Sequence, residues 1–477
     1  MGAFERRGVL LVLLLGGAAC TLTRAEQDDC RSNAECRAAF GLGWVCGGDG
    51  LCAQAPPEPR CASTEPANLF RAEEPRIVLG TLVDGSLSTQ VARGNAVRLA
   101  VMDANNAGGV EGRLFGLVTC DIRDDFEGDG RTRADAAVAM ARYLEDVVGA
   151  PVVVGPPSSE EAERVLGETS QVVLISPSAT SPALTALEPI PATDEAPGRL
   201  WRTAPTDEEQ ARQIVADLTG RGVTDAYALV QNGAYGDGLL TLLTELMPDL
   251  PSVRFSTSGQ LSAAVDLVAN EPARELLFIS SNTEDTIDFL TAAVGDSRFD
   301  GRRFFLTDAA ANQDLLAGLG ALPTAQRDDL IARIRGTRPA NDARLASAFA
   351  SRYRIEFGQS NIDALSFTSH AYDAAWLALY GAVWSTFQEA EVTPLGVARG
   401  LRHVSAGVPV DVGELSWETV VETFRAGEGV DVTGASGALD YDPRTEERSE
   451  GGQSFEIWVV SPDGAQLCPA TELACGT

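Results

Sequence analysis

The sequence predicts an α/β fold with parallel sheets, divided into two lobes. From residue 76 onward, short apolar runs that suit buried strands alternate with amphipathic stretches of helical length. A proline-containing stretch over residues 186–199 interrupts the alternation, which then restarts. The alternation predicts parallel strands joined by crossover helices, and the interruption marks the passage between lobes.

Residues 1–19 read as an export signal. Arg6 and Arg7 precede the apolar run Val9–Leu15, and small residues then lead to Cys20. This order is typical of a secretory signal, and the run is shorter than the roughly 20 residues of a membrane span. A cysteine directly after small residues resembles the lipobox of bacterial lipoproteins, which implies lipidation of Cys20. Ordinary cleavage is the alternative, since Gly17 stands where that motif usually has leucine.

Eight further cysteines predict disulfides in an exported chain. Four of them lie close together among small polar residues and predict a module with two disulfides of undetermined pairing: Cys30, Cys36, Cys46 and Cys52. Zinc is the alternative there, but the spacing lacks histidine and CxxC. Cys468 and Cys475 are predicted to close a loop within residues 463–477. Cys61 and Cys120 then remain as a pair by elimination.

The first lobe is predicted to begin at residue 76, after a Pro- and Glu-rich linker over residues 53–75. Its predicted strands are Ile77–Val83, Leu114–Cys120, Val152–Val154, Val172–Ile175 and Leu200–Thr203. Its predicted helices are Thr89–Asn106, Arg131–Val148 and a third that has Glu160 and Glu161 in its first turn. Acidic residues there suit the positive end of the helix dipole.

The second lobe repeats the alternation from residue 202 to about 334. We predict a helix from Asp207, a helix over Gly236–Met247, and strands at Tyr227–Val230, Leu276–Ile279 and Phe304–Leu306. Beyond residue 330 the sequence is mostly helical in pattern, with Asn341–Phe357 and Phe367–Ser385 the clearest helices. Ala438–Tyr441 and Phe455–Val460 are the last predicted strands.

Two serine-rich turns predict a ligand site. The turn Gly155–Ser159 follows one buried strand and Ser178–Ser181 follows the next. Open α/β sheets bind ligands outside the carboxyl ends of their strands, where both turns would lie. Hydroxyl groups and free backbone N–H groups at such a place suit an anion, most simply a carboxylate.

Seven segments occur along residues 76–462 in one order: ARGNAVRLAVMDANNAGGVEGR, VVVGPPSSEE, ISPSATSPALT, LWRTAPTDEEQARQIV, AYGDGL, FFLTDA and SHAYDAAWLALYGA. Their order and spacing resemble the type I periplasmic binding proteins, which include leucine/isoleucine/valine-binding proteins of bacterial ABC importers and ligand domains of glutamate-type receptors. The resemblance implies two Rossmann-like lobes joined by three crossings, with ligand between them. It also implies that residues 335–435 complete the first lobe and 436–462 the second.

The resemblance implies ligand contacts at matching positions. In the first lobe, hydroxyl and N–H groups of two turns would hold a carboxylate; in the second, two aspartates would hold an ammonium and a tyrosine would cover the ligand. The positions are Ser159, Ser178, Ala179, Thr180, Asp207, Tyr235 and Asp308. Ser159 and Asp207 are alternatively helix caps, the turn residues are alternatively turn formers, and Tyr235 a packed aromatic.

Other kinds of site are disfavoured. The net charge is −31 without a single lysine, which argues against nucleic-acid binding. There is no GxSxG elbow or P-loop, and His370 and His403 lack metal-ligand spacing. The acidic run Asp121–Gly130 imitates a calcium loop, but an EF-hand needs Glu where Ala136 stands.

The predicted function is therefore binding rather than catalysis, without cofactor or metal. We expect a lipid-anchored, extracytoplasmic solute-binding protein for an amino acid or similar small polar ligand, with an ABC permease as possible partner. Thr21 after the lipidated cysteine favours the outer membrane under the sorting rule of enteric-type lipoproteins. The alternative is a structural or regulatory envelope lipoprotein that keeps the fold without a ligand.

Overall fold

A computed structural model describes residues 29–471, except residues 73, 361, 363–364 and 450–453. The chain divides into two units, residues 1–56 and residues 57–477. The export signal, Cys20 and Cys475 lie outside the described residues, and so does the predicted pairing of Cys475 with Cys468. Within the described part of the chain, no helix combines the length and apolar character needed to cross a membrane.

The smaller unit is a disulfide-bonded module. It consists of one helix and one antiparallel hairpin: α1 (Asn33–Phe40), β1 (Trp44–Cys46) and β2 (Cys52–Gln54). Cys30 is bonded to Cys46 and Cys36 to Cys52. The prediction of two disulfides is confirmed, and both bonds tie the helical segment to the hairpin. All four sulfurs are therefore in disulfides rather than free to bind zinc.

The larger unit alternates strands and helices along most of its length. Its strands are β3 (Ser63–Glu65), β4 (Ile77–Val83), β5 (Phe115–Asp121), β6 (Val152–Val154), β7 (Val173–Ser176), β8 (Leu200–Arg202), β9 (Ala226–Gln231), β10 (Ser252–Phe255), β11 (Glu275–Ile279), β12 (Arg303–Leu306), β13 (Ile334–Pro339), β14 (Val408–Asp411), β15 (Val430–Gly434), β16 (Gly437–Ala438), β17 (Phe455–Val460) and β18 (Leu467–Pro469). Its α-helices are α2 (Ser88–Asn106), α3 (Arg133–Arg142), α4 (Ser159–Glu168), α5 (Asp207–Gly220), α6 (Ala234–Leu246), α7 (Ser258–Ala269), α8 (Thr283–Val294), α9 (Gln313–Gly320), α10 (Thr324–Ile331), α11 (Ala343–Phe357), α12 (Thr368–Gln388), α13 (Pro394–Leu401) and α14 (Trp417–Arg425).

Lobe 1 is built on a six-stranded sheet in the order β3-β5-β4-β6-β7-β8. All of its pairings are parallel except that of β3 with β5. Every residue of β4, β6 and β7 is buried. Strands covered on both faces read as continuous apolar runs, and that is why the sequence predicts them well.

Lobe 2 is built on a seven-stranded sheet in the order β10-β9-β11-β12-β13-β17-β18. Its first five strands are parallel, and β17 and β18 are antiparallel. Apolar residues of α5 and α6 cover one face, and those of α7 to α10 cover the other. The predicted fold class, an α/β protein of two lobes, is confirmed.

The segment after residue 340 returns to lobe 1. Helices α11 to α14 share one hydrophobic core with α2, the lobe 1 strands and a small sheet of order β14-β15-β16. Trp376 and Tyr380 of α12 lie fully buried beside Trp417. The mostly helical pattern predicted here is incomplete, because six strands lie between residue 334 and residue 469.

The linker prediction is wrong for residues 57–75, part of the predicted linker over 53–75. Strand β3 pairs with β5 at the edge of the lobe 1 sheet. The predicted bond between Cys61 and Cys120 is confirmed, and the buried guanidinium of Arg60 pairs with Asp129 at 2.8 Å. Because a short polar edge strand contains few apolar residues, its composition resembles that of a linker.

The chain passes between the lobes three times. It leaves lobe 1 after β8, returns between β13 and α11, and enters lobe 2 again between Tyr441 and Phe455. The second and third passages lie after the boundaries predicted at residues 334 and 435, because β13 and β15 were not predicted and the strand predicted at Ala438–Tyr441 overlaps β16 only at Ala438. The carboxyl ends of the parallel strands meet at the gap between the lobes.

Candidate functional site

The gap between the lobes forms a cleft. With its open mouth it spans about 650 Å³, and its interior cavity is about 50 Å³. A single water needs roughly 10–15 Å³ on that scale, so the interior accommodates a few water molecules. Side chains from both lobes line it. They include the predicted contacts Ser159 and Ser178 of lobe 1 and Tyr235 and Asp308 of lobe 2.

The amino end of α4 forms part of the lobe 1 wall. Ser158 caps this helix: its hydroxyl accepts from the Glu161 N–H, and the Glu161 carboxylate accepts from the Ser158 N–H. This reciprocal capping box satisfies two backbone N–H groups at the start of the helix. The alternative interpretation of Ser159 as the helix cap is therefore wrong. Its hydroxyl instead accepts from the Ser181 N–H at 3.1 Å, and Ser159 lines the cleft.

The turn after β7 is held rigidly by its own hydrogen bonds. The Ser176 hydroxyl accepts from the Ala179 N–H at 3.0 Å. The Ser178 hydroxyl donates to the carbonyl of Pro157 at 2.6 Å, which ties the second turn to the first. Ser178 lines the cleft beside Ser159, as the sequence predicts for two turns at the ends of neighbouring strands.

Arg93 is the main residue that the sequence analysis missed. Its guanidinium lines the cleft, donates to the Ser178 hydroxyl and to the Ser366 carbonyl at 3.2 Å each, and lies 5.2 Å from the Phe367 ring centre. Nε has no hydrogen-bond partner among the described residues, and no described carboxylate is within ion-pair distance. Burial lowers the pKa of Arg93 to about 10, against the raising effect of Asp308 and Asp314.

A signal for Arg93 was present in the sequence. The residue lies four positions after Thr89 and four before Val97, on the face of α2 that is buried in lobe 1. A charged residue on the apolar face of a helix usually has a partner or a function, because burying an uncompensated charge is costly. Arginine at this position marks the cleft as a place that suits an anion.

Lobe 2 contributes an acidic wall. The Tyr235 hydroxyl donates to Asp308 Oδ1 at 2.5 Å, and the Ala309 N–H donates to the same oxygen at 2.8 Å. Both Tyr235 and Asp308 are buried and line the cleft. Burial raises the pKa of the Asp308 carboxyl, an effect that the Tyr235 hydrogen bond and the charge of Arg93 partly offset.

Three predicted contacts are not among the residues that line the cleft: Ala179, Thr180 and Asp207. All three are almost fully buried, and the Asp207 N–H donates to the Thr180 carbonyl at 3.0 Å. The oxygens of the Asp207 carboxyl have no hydrogen-bond donor among the described residues. Burial and the nearby charge of Asp308 raise the pKa of Asp207 well above its usual range. Asp308 is therefore the better stabilised anion of the pair.

The outer part of the cleft is polar and charged. Arg133 pairs with Glu161 at 2.5 Å and lies 3.8 Å from Asp84. Leu87, from the loop after β4, and Ser281, from the loop after β11, line the same part.

The two histidines and the acidic run weighed in the sequence analysis lie outside the cleft, where they pack or form hydrogen bonds. His370 is buried and packs edge-on against Phe367, and His403 stacks on Trp384. In the acidic run, Asp129 binds Arg60 and the Asp124 carboxylate accepts from the backbone of Arg133. Among the described residues, the only group close enough to hold a metal ion consists of cysteines whose sulfurs are in disulfides.

Two buried polar residues of α12, Tyr372 and Asp373, make hydrogen bonds within lobe 1 and do not line the cleft. The Asp373 carboxylate accepts from the N–H groups of Ala435 and Ser436, and the Tyr372 hydroxyl donates to Asp103 at 3.4 Å. Both side chains hold α12 against lobe 1. The cleft therefore has donors and one uncompensated cation on the lobe 1 wall, and a carboxylate on the lobe 2 wall.

The two α/β lobes, the three chain passages between them and the cleft where they meet define a type I periplasmic binding protein. A family model described as the receptor family ligand binding region matches residues 92–382, more than half of the chain. The chain belongs to this family.

Individual relatives share less than a third of their residues with this chain. The chain is 27% identical over 374 residues to BasB of Halobacterium salinarum, a chemotactic signal transduction system substrate-binding protein, covering 75% of this chain and 80% of that protein. It matches the LivJ substrate-binding protein of Streptococcus pneumoniae, solved with isoleucine, at a TM-score of 0.60 and 16% identity, over 82% and 98% of the two chains. A solute-binding protein of R. palustris, solved with 4-hydroxybenzoate, matches at a TM-score of 0.59 and 15% identity, over 83% and 95%. At these identities the two solved structures show the fold alone.

Proposed function

We propose that this protein is a solute-binding protein that takes up an amino acid, or a similar small zwitterion, between its lobes. The observation that supports this most strongly is the pair of opposite charges on opposite walls. Arg93 on lobe 1 is a buried cation without an ion-pair partner among the described residues. Asp308 on lobe 2 is a buried carboxylate that faces the same cleft.

In the proposed complex, the ligand carboxylate meets lobe 1. The Arg93 guanidinium would be its principal partner, and the hydroxyls of Ser159 and Ser178 lie on the same wall. A guanidinium can bind a carboxylate through two parallel hydrogen bonds, which gives both strength and orientation. Ala179 and Thr180, which the resemblance implies as direct contacts, are buried and do not line the cleft, and we propose that they support its wall.

The ligand ammonium meets lobe 2. Asp308 uses Oδ1 for Tyr235 and Ala309, so Oδ2 is the oxygen proposed to accept from the ammonium. Hydrogen bonds to charged groups contribute roughly 1.5–3 kcal/mol each. Three or four of them approach the ~8 kcal/mol of a micromolar complex before ordering costs are subtracted. Because one ligand bonds to both walls, binding favours the closed arrangement of the lobes.

The cellular setting proposed is the extracytoplasmic side of the bacterial envelope, with a lipid anchor at Cys20. Disulfide bonds in both units support an oxidising compartment. The partner proposed is an ABC-type permease that receives the ligand. A signalling receptor is the second possibility within this proposal, since the relative BasB is described as part of a chemotactic system.

The second candidate function is a ligand-free structural or regulatory lipoprotein. The narrow cavity of about 50 Å³ favours it, because the Arg93 side chain occupies part of the space between the lobes. A protein of this kind would keep Arg93 as a packed part of lobe 1, bonded to Ser178 and Ser366, rather than to bind a solute.

Isothermal titration separates the two candidates. The purified chain is titrated with each of the twenty standard L-amino acids, and with benzoate and 4-hydroxybenzoate as acids without an ammonium. We expect micromolar binding of at least one amino acid and much weaker binding of both acids. The absence of heat with every amino acid would contradict the proposed function and favour the ligand-free candidate.

A further inference from the structure

We propose that Asp314 of lobe 2 is the closing latch of the protein: it caps helix α2 of lobe 1 and thereby sets how far the lobes close. The proposal concerns the equilibrium between open and closed lobes in the unliganded chain. It therefore stands independently of which ligand the cleft takes.

Helix α2 lacks a cap from its own lobe. Its N-cap residue is Leu87, whose side chain forms no capping hydrogen bond. The first N–H groups of an α-helix have no partner inside the helix, so they need an acceptor from elsewhere. In nine other helices or 3-10 turns of the described chain, the N-cap side chain itself supplies that acceptor. The start of α2 is thus open to an external group.

Asp314 supplies the missing cap from the other lobe. Its Oδ1 accepts from the Ser88 N–H at 3.2 Å and from the Ser88 hydroxyl at 2.7 Å. Its Oδ2 accepts from the Thr89 N–H at 3.1 Å. A carboxylate at this position also meets the positive end of the α2 dipole, an interaction favourable in both charge and geometry.

The contact is reciprocal. Thr89 Oγ1 of lobe 1 accepts from the N–H of Gln313, the first residue of α9 in lobe 2, at 3.3 Å. Two helix amino ends, both positive, therefore approach one another at the mouth of the cleft. The negative charge of Asp314 between them offsets their repulsion and so favours the approach.

The latch is connected to the binding wall through α2. Arg93 lies four residues after Thr89 on the same face of the helix, and both residues line the cleft. Asp314 is therefore a positioning residue: it fixes the end of the helix that carries the cation of the site. It makes this contact only when the lobes are together, since its partners all belong to lobe 1.

The test measures the distance between lobes in the unliganded full chain. Fluorophores are placed through unnatural amino acids at exposed Gln171 of lobe 1 and exposed Glu245 of lobe 2. Energy transfer is compared among wild type, Asp314→Ala and Asp314→Asn. Loss of a cap shifts such an equilibrium about three- to thirtyfold, so Asp314→Ala should move the population toward longer distances. Asp314→Asn, which keeps an acceptor but loses the charge, should give an intermediate shift.

Thr393→Ala is the matched control. Thr393 caps α13 within lobe 1 by accepting from the Gly396 N–H at 3.0 Å, and it does not line the cleft. This variant should lose melting temperature without changing the interlobe distance. The proposal is overturned if Asp314→Ala keeps the wild-type distance distribution, or if Thr393→Ala shifts it equally. Failure of every amino acid to bind would change neither this distance measurement nor what it says about Asp314.

Discussion

At the scale of single residues, the cleft is defined by two buried charges that the fold does not neutralise locally. Among the described residues, Arg93 donates only to neutral acceptors and lies against an aromatic ring, and the carboxylates of Asp308 and Asp314 act on it from beyond ion-pair distance. Asp308 is buried, and its Oδ1 accepts hydrogen bonds from the Tyr235 hydroxyl and the Ala309 N–H. Burying such groups costs free energy unless a partner compensates them. A zwitterion would compensate both at once, which is the physical reason for preferring it to a neutral or singly charged ligand.

The pH dependence of binding follows from Asp308. Burial holds its pKa above the ordinary value of 3.8, and that of the neighbouring Asp207 is raised as well. Protonation removes the negative charge that an ammonium needs, so affinity should fall as the pH is lowered from neutral into the acidic range, and should begin to fall at a higher pH than for an ordinary aspartate. Calorimetry with the tightest-binding amino acid checks this.

The Asp308→Asn variant should bind at least tenfold more weakly at pH 7, because it loses a hydrogen bond to a charged group. It should also lose most of the pH dependence. Asp411→Asn, which removes an exposed ion pair with Arg344, is the control and should bind like wild type. A flat pH profile in the wild type would contradict the assignment of Asp308.

At the scale of elements, the sequence predicts what is buried on both faces and misses what is not. The runs at Ile77–Val83 and Val152–Val154 give fully buried strands at the predicted positions. Strand β3 is missed because an edge strand has a partner on one side only and here contains polar residues. Strand β10 is missed for the same reason, since Phe255 is its one buried residue.

The sequence predicts part of the site and misses part of it, as it does for the strands. Ser159 and Ser178 come together because the turns after neighbouring parallel strands must meet at one sheet edge. Arg93 was missed because it lies on a helix, away from those turns, and its importance depends on burial that only the packed structure reveals. Thr180 and Asp207 are predicted as ligand contacts, and in the structure they are buried and do not line the cleft, since sequence position alone does not tell which way a side chain points.

The bond between Cys61 and Cys120 should matter to stability. It ties the segment before β3 to the end of β5 across a separation of 59 residues. Cross-links that close loops of this length typically stabilise by about 2–4 kcal/mol. We expect the double variant Cys61→Ala/Cys120→Ala to lower the free energy of unfolding by that amount in urea titrations. An unchanged midpoint would show that β3 contributes little to lobe 1.

At the scale of the whole molecule, lobe closure relates the fold to the proposed function. Three chain passages join the lobes, and the cleft between them brings together donors from one lobe and an acid from the other. Contacts that exist only in the closed form, such as those of Asp314, favour closure without a ligand. A ligand that bonds to both walls would favour it further, so a partner protein could distinguish the loaded form by shape.

A crystal structure grown with a mixture of the twenty standard amino acids tests the central claim most directly. We predict density for one amino acid between the lobes, with its carboxylate against Arg93, Ser159 and Ser178 and its ammonium against Asp308. A cleft that holds only water under saturating amino acids, or a ligand whose carboxylate faces Asp308, would contradict it.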